Sequence, residues 1–245
     1  MENTVTLKLF STDPLNKNKS NITKIFKSNN FLLNVEELLN KYPNEKEELK
    51  NLKKIEREII LNKCKLLPRT MDYRGNNYVN DWTIGEKRGG ESYIPPTGWI
   101  GFGLNVKDKY DAGNNTWLGN NNSEGEWCVA YHGVGRGADA NQVANTNRAI
   151  ITHGFRQGQN QINTNDNDLR HPGNKCGKGI YCTPDIEIAE NYAGIIDLDD
   201  EKYKCVLMLR VDPKKIRQPE SREDIYILNP SCDEIRPYRI LLKKC

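Results

Sequence analysis

The chain has 245 residues, of which 36% are hydrophobic and 28% charged, with a net charge of +3 at pH 7. That length suits one generous domain, or a domain of about 150 to 200 residues with an appendage, and the composition still supplies a core. Balanced acids and bases give no field for steering nucleic acid or anionic lipid, no apolar run nears the roughly 20 residues of a membrane span, and the first residues show no secretory leader, so a soluble, cytoplasmic protein is expected.

From Asn21 to Leu67 the pattern is charged and helical. Phe31, Leu32, Leu33, Val35, Leu38 and Leu39 fall near helical spacing, Pro43 stops that run, and Leu49, Leu52, Ile55, Ile59 and Ile60 recur against a Lys and Glu surface. The spacing predicts an α-helical hairpin over residues 1–68, an appendage suited to packing or to a partner. Residues 69–89, rich in Asn, Gly and aromatic side chains, read as a linker or entry segment, and residues 90–245 as the main domain. There, strands are expected at Trp99–Val106, Trp127–Tyr131, Gly179–Cys182, Lys204–Val211, Tyr226–Leu228 and Tyr238–Leu242, with helices at Asn141–Ile150 and Asp185–Ala193. The absence of a long βαβ alternation excludes a doubly wound sheet and leaves an α+β domain with mainly antiparallel sheet.

Seven cysteines, Cys64, Cys128, Cys176, Cys182, Cys205, Cys232 and Cys245, form no CxxC pair and no zinc-like spacing with histidine, so reduced thiols and no metal are expected. His153 and His171, beside Gly154 and Pro172, read as solvent-facing. Trp82, Trp99, Trp117 and Trp127 read as core or cleft walls, and the Asn-rich stretch from Gln157 to Lys175 as a polar flap.

The chemistry concentrates in two segments. Tyr131, His132 and Gly133 end an apolar strand, where the imidazole can meet a cleft and the glycine lets a ligand approach the backbone. Gly177, Lys178, Gly179, Ile180 and Tyr181 form the second, with Asp185 as N-cap of a helix that ends at Tyr192, eleven residues after Tyr181. Two tyrosines so placed can clamp a flat ring.

This ordered set resembles the catalytic domain of the poly(ADP-ribose) polymerase family, the H-Y-E class of ADP-ribosyltransferases, over about residues 90 to 245. The resemblance implies a split antiparallel sheet with NAD as co-substrate in the cleft. His132 would bond a ribose hydroxyl, Gly133 would hold the nicotinamide amide through its backbone, and Tyr181 and Tyr192 would flank the ring. The implied reaction displaces nicotinamide at the anomeric carbon through an oxocarbenium-like state. Family members that extend chains place a glutamate at the start of a late strand. Here Tyr226 falls near that place, with Glu223 and Asp224 just before it, and any of the three is a candidate. Val134 and Ala189 stand where the family usually has hydroxyl residues, each lost bond weakening NAD by about 0.5–1.5 kcal/mol, with Arg136 or Asn191 a candidate to compensate. The implied function is a mono-ADP-ribosyltransferase acting on a protein acceptor, and the alternative is an inactive NAD- or ADP-ribose-binding module on the same fold.

Overall fold

In the computed structural model residues 87–158, 161–198 and 201–245 are described, so the helical hairpin of residues 1–68 lies outside the described residues. The organising element is an eleven-residue strand, β7 (Glu201–Val211), whose segment from Cys205 to Val211 is buried throughout. A run that is apolar on both faces belongs in the middle of a sheet. It pairs on one side with β9 (Ile235–Lys244) and on the other with β4 (Cys128–Gly133), while its first residues pair with β6 (Ile195–Leu198). β3 (Ile100–Gly103) closes the far edge against β9, giving the order β3-β9-β7-β4 with every pair antiparallel. The molecule is thus mixed α/β with mostly antiparallel sheet and few helices, and strands and helices occupy the eight segments expected of them.

The β7–β9 register slips between Met208 and Leu209, where Met208 faces Arg239 and Leu209 faces Pro237. Pro237 has no N–H to give to the ladder, so the strand bulges there and leaves Tyr238 as the extra residue. The freed Tyr238 carbonyl accepts from the Leu104 N–H at 2.8 Å, which ties in the chain beyond β3.

Two small sheets flank the large one. β1 (Lys87–Arg88) and β2 (Glu91–Ser92) form a hairpin, and β5 (Ile180–Cys182) pairs with β8 (Tyr226–Leu228). β4 joins the large sheet to the β5–β8 sheet, because Tyr131 and Thr183 exchange backbone hydrogen bonds of 2.7 and 3.0 Å. Helix α1 (Ala140–His153) is capped by the Asp139 carboxylate, which accepts from the Gln142 N–H, and buries Val143, Ala144, Asn147, Ile150 and Ile151. Helix α2 (Ile186–Tyr192) starts at the Asp185 cap and packs on β4 and β7. Among the described residues no helix is long and apolar enough to cross a membrane, and six cysteines are free, four of them buried.

The segment between β3 and β4 is locked to the sheet by two buried arginines. Arg236, 1% exposed, donates to both Asp111 carboxylate oxygens at 2.7 Å and to the Cys232 carbonyl. Its guanidinium carbon lies 4.5, 4.8 and 4.2 Å from the ring centres of Tyr110, Trp117 and Trp127. Arg210, equally buried, donates to the Trp127 and Gly119 carbonyls at 2.7 and 2.6 Å and faces Glu126 at 3.4 Å. Trp117 is fully enclosed and Trp127 half-buried, so these two tryptophans are structural.

Candidate functional site

Beyond the Tyr131–Thr183 bridge, residues of β4, β5, both helices and the loops after α1 and before β8 surround a cavity of ≈ 670 Å³. This volume lies within the range of small-molecule sites. His132, Gly133, Tyr181, Ala189 and Tyr192 all line it.

His132 is placed by β4 and held by β5: its Nδ1 lies 2.7 Å from the Tyr181 carbonyl, and its ring meets Phe155 edge-on at 5.2 Å. A carbonyl only accepts, so Nδ1 carries the proton and the neutral ring presents Nε2 as an acceptor. Burial lowers the His132 pKa from the usual value of 6.5, opposed by the Tyr181 hydrogen bond. The imidazole is therefore neutral at pH 7, an acceptor for a hydroxyl.

Gly133 is required by packing. A Cβ there would lie 2.0 Å from the Ala189 carbonyl oxygen and 2.7 Å from the Ala193 nitrogen, so only glycine lets α2 sit this close to β4. Ala189 itself is 1% exposed. Strand alternation turns the N–H and C=O of Gly133 to the same side as those of Tyr131, which bond to β5 and not to β7. No backbone bond joins Gly133 to β5 among the described residues, and it lines the cavity, where a planar amide can take up the pairing.

Tyr181 is half-buried and its phenol oxygen accepts from the Asn163 N–H at 3.2 Å. Tyr192 is 45% exposed at the end of α2, and both tyrosines line the same cavity. Gln161 clamps the start of β5 like an extra strand residue, its amide oxygen accepting from the Gly179 N–H at 2.9 Å and its amide nitrogen donating to the Gly179 carbonyl. The described part of the Asn-rich stretch is thus tied directly to the site.

The candidates for the third position fall elsewhere. Tyr226, 4% exposed, points into the main core with Arg170 over its ring at 5.0 Å, and burial raises its pKa. Glu223 is exposed, and Asp224 is engaged by Arg222 through two hydrogen bonds of 2.8 and 2.7 Å, which lower its pKa. None of the three lines the cavity, nor does Arg136. The residue that does is Ile225: strand alternation puts it with Ile227 on the Tyr181 face, one position away from Tyr226.

Sequence reasoning missed Ile225, and with it Arg156, Arg222 and the role of His153, which ends α1 and lines the cavity. The arginines give the wall its charge. Arg222 is held toward it by Asp224, whose hydrogen bond raises the arginine's pKa further, with the Tyr192 phenol assisting. Among the described lining residues there is no aspartate and no glutamate. Such a cavity offers two arginines, a neutral imidazole acceptor, an open backbone amide and two tyrosines, a set suited to an anionic ligand bearing a flat ring. No group of described histidines, cysteines and acids is arranged to hold a metal ion. Neither a family model nor a curated protein matches the chain.

Proposed function

We propose that this cavity binds NAD and that the protein is a mono-ADP-ribosyltransferase, releasing nicotinamide and passing one ADP-ribose unit to a protein acceptor. The convergence of His132, Gly133, Tyr181 and Tyr192 on a single cavity supports the reading. Gly133 would pair the carboxamide through its backbone, and the tyrosines would hold the ring. His132 Nε2 would accept from a ribose hydroxyl, which orients the sugar for attack at the anomeric carbon. Arg156 and Arg222 would meet the diphosphate.

Ile225 just before β8 lines the cavity where the family the chain resembles would offer a late-strand glutamate to elongation, and its apolar side chain supports single transfer. It equally favours the second reading, an inactive module that binds NAD or ADP-ribose, because no carboxylate lines the described cavity. Incubating the purified chain with labelled NAD and cell lysate separates the readings. A transferase releases nicotinamide and labels protein, and His132→Ala loses both. A saturable rise in Tm with NAD and no turnover establishes the binding module. Activity unchanged in His132→Ala and Tyr181→Ala overturns the assignment of the site.

A further inference from the structure

A second recess, of ≈ 470 Å³, lies beside the β5–β8 sheet and shares no lining residue with the NAD-sized cavity. Three separate segments form it: Asp168, His171, Asn174 and Lys175; Lys214, Lys215 and Arg217; Asn229 and Glu234. No apolar side chain lines it, so it is not a hydrophobic docking groove.

Its charges are arranged unequally. Both acids are consumed internally. The Asp168 side chain, 1% exposed, accepts from the Arg170 and Gln218 N–H groups at 3.0 and 3.1 Å and from His171 Nδ1 at 2.8 Å. The two Glu234 oxygens accept from the Asn229 backbone N–H and side-chain amide at 2.7 and 2.8 Å. The cations are available: Lys214 and Lys215 are exposed and make no ion pair among the described residues, and Lys175 bonds only a neutral amide oxygen, that of Asn167, at 2.5 Å. Arg217 is fixed in place by the Cys176 and Lys178 carbonyls and by the Asn229 amide oxygen.

We propose that this groove is an anion site for a phosphate monoester or diphosphate group, gripped by Lys175, Lys214 and Lys215 with Arg217 as a fixed cationic wall. A cluster of point-charge lysines beside a fixed guanidinium suits a multiply charged phosphate. The probe is inorganic pyrophosphate, titrated calorimetrically into the full chain. An Arg156→Ala/Arg222→Ala variant removes the cations of the other cavity, and Lys214→Glu/Lys215→Glu reverses those of the groove. Saturable binding that persists in the arginine variant and weakens at least about tenfold in the lysine variant supports the site. The milder Lys214→Ala/Lys215→Ala change must weaken it in the same direction with an unchanged melting curve. No saturable binding, or binding abolished by the arginine changes and indifferent to the lysine changes, overturns the proposal.

Discussion

Arg236 stands among Tyr110, Trp117 and Trp127 with its guanidinium committed to Asp111 and the Cys232 carbonyl, whereas Arg156 and Arg222 stand with Tyr181 and Tyr192 around open space. The materials are alike: aromatic rings, guanidinium groups and backbone carbonyls. In the first region the guanidinium is spent on Asp111, the Cys232 carbonyl and the faces of three rings, so its interactions end in stability. In the second, His132 Nε2, the Gly133 amide and the tyrosine faces are left directed at a volume large enough for a ligand. Function is to be sought where a well-ordered polar set stays incompletely satisfied, not where such groups are merely dense.

Substitutions should therefore separate the regions. The largest expected effect is that of Arg236→Ala, which empties the aromatic cage while Asp111, 42% exposed, returns to solvent; deleting a buried side chain of this size costs about 2–5 kcal/mol. Urea unfolding would read it as a lowered midpoint, and a change too small to resolve would deny the cage its locking role. Gly133→Ala comes next, because the new methyl meets the Ala189 carbonyl. Overpacking of this kind costs about 1–3 kcal/mol, and displacing α2 with Tyr192 should weaken NAD as well, so at the cavity this variant couples stability to binding. Retained affinity in a destabilised Gly133→Ala protein would show that α2 does not position the site.

Tyr181→Phe should be milder still. It removes the acceptor for the Asn163 N–H, worth about 1 kcal/mol in stability, and keeps the ring. Equilibrium unfolding and NAD titration should both move little, while Tyr181→Ala should lose NAD. Equal loss of affinity in both would assign the contribution to the hydroxyl and not to stacking.

The smallest effect is a pH dependence. A histidine whose folded pKa lies below 6.5 binds its proton less readily folded than unfolded, so stability is full above 6.5 and is lost as pH falls from there toward the folded value. Melting temperatures of His132→Gln should lack that portion of the slope. An identical acid slope in wild type and variant would mean that His132 contributes nothing to it. Asp111 and Asp224, held below the usual 3.8 chiefly by their arginine hydrogen bonds, lose their contribution only at still lower pH, and they do so on both sides of the comparison.

Much of the fold was readable because β4, β7 and β9 each contain an apolar run, Cys128–Tyr131, Cys205–Leu209 and Ile240–Leu242, and β8 matched its expected residues, Tyr226–Leu228. β6 was not legible: Ile195–Leu198 is short and exists through its pairing with β7. The site followed the same division. His132 with Gly133, and Tyr181 with Tyr192, are local motifs, and they meet in one cavity. The residue facing it from the start of β8 depends on a single step of strand alternation, so reading at Tyr226 instead of Ile225 turned the side chain to the opposite face. Arg156 and Arg222 come from loops without periodicity. The Arg236 cage depends on a partner, Asp111, that is 125 residues away, a separation no local pattern spans.

The most direct test is a thermal-melting titration with NAD on wild type, His132→Ala, Tyr181→Ala and Arg236→Lys. The account predicts a saturable rise in Tm for the wild type and for Arg236→Lys, the latter from a lower starting point, and none for the two cavity variants, each measured from its own unliganded Tm. A rise of equal size in all four, or in none, would contradict the assignment of this cavity to NAD.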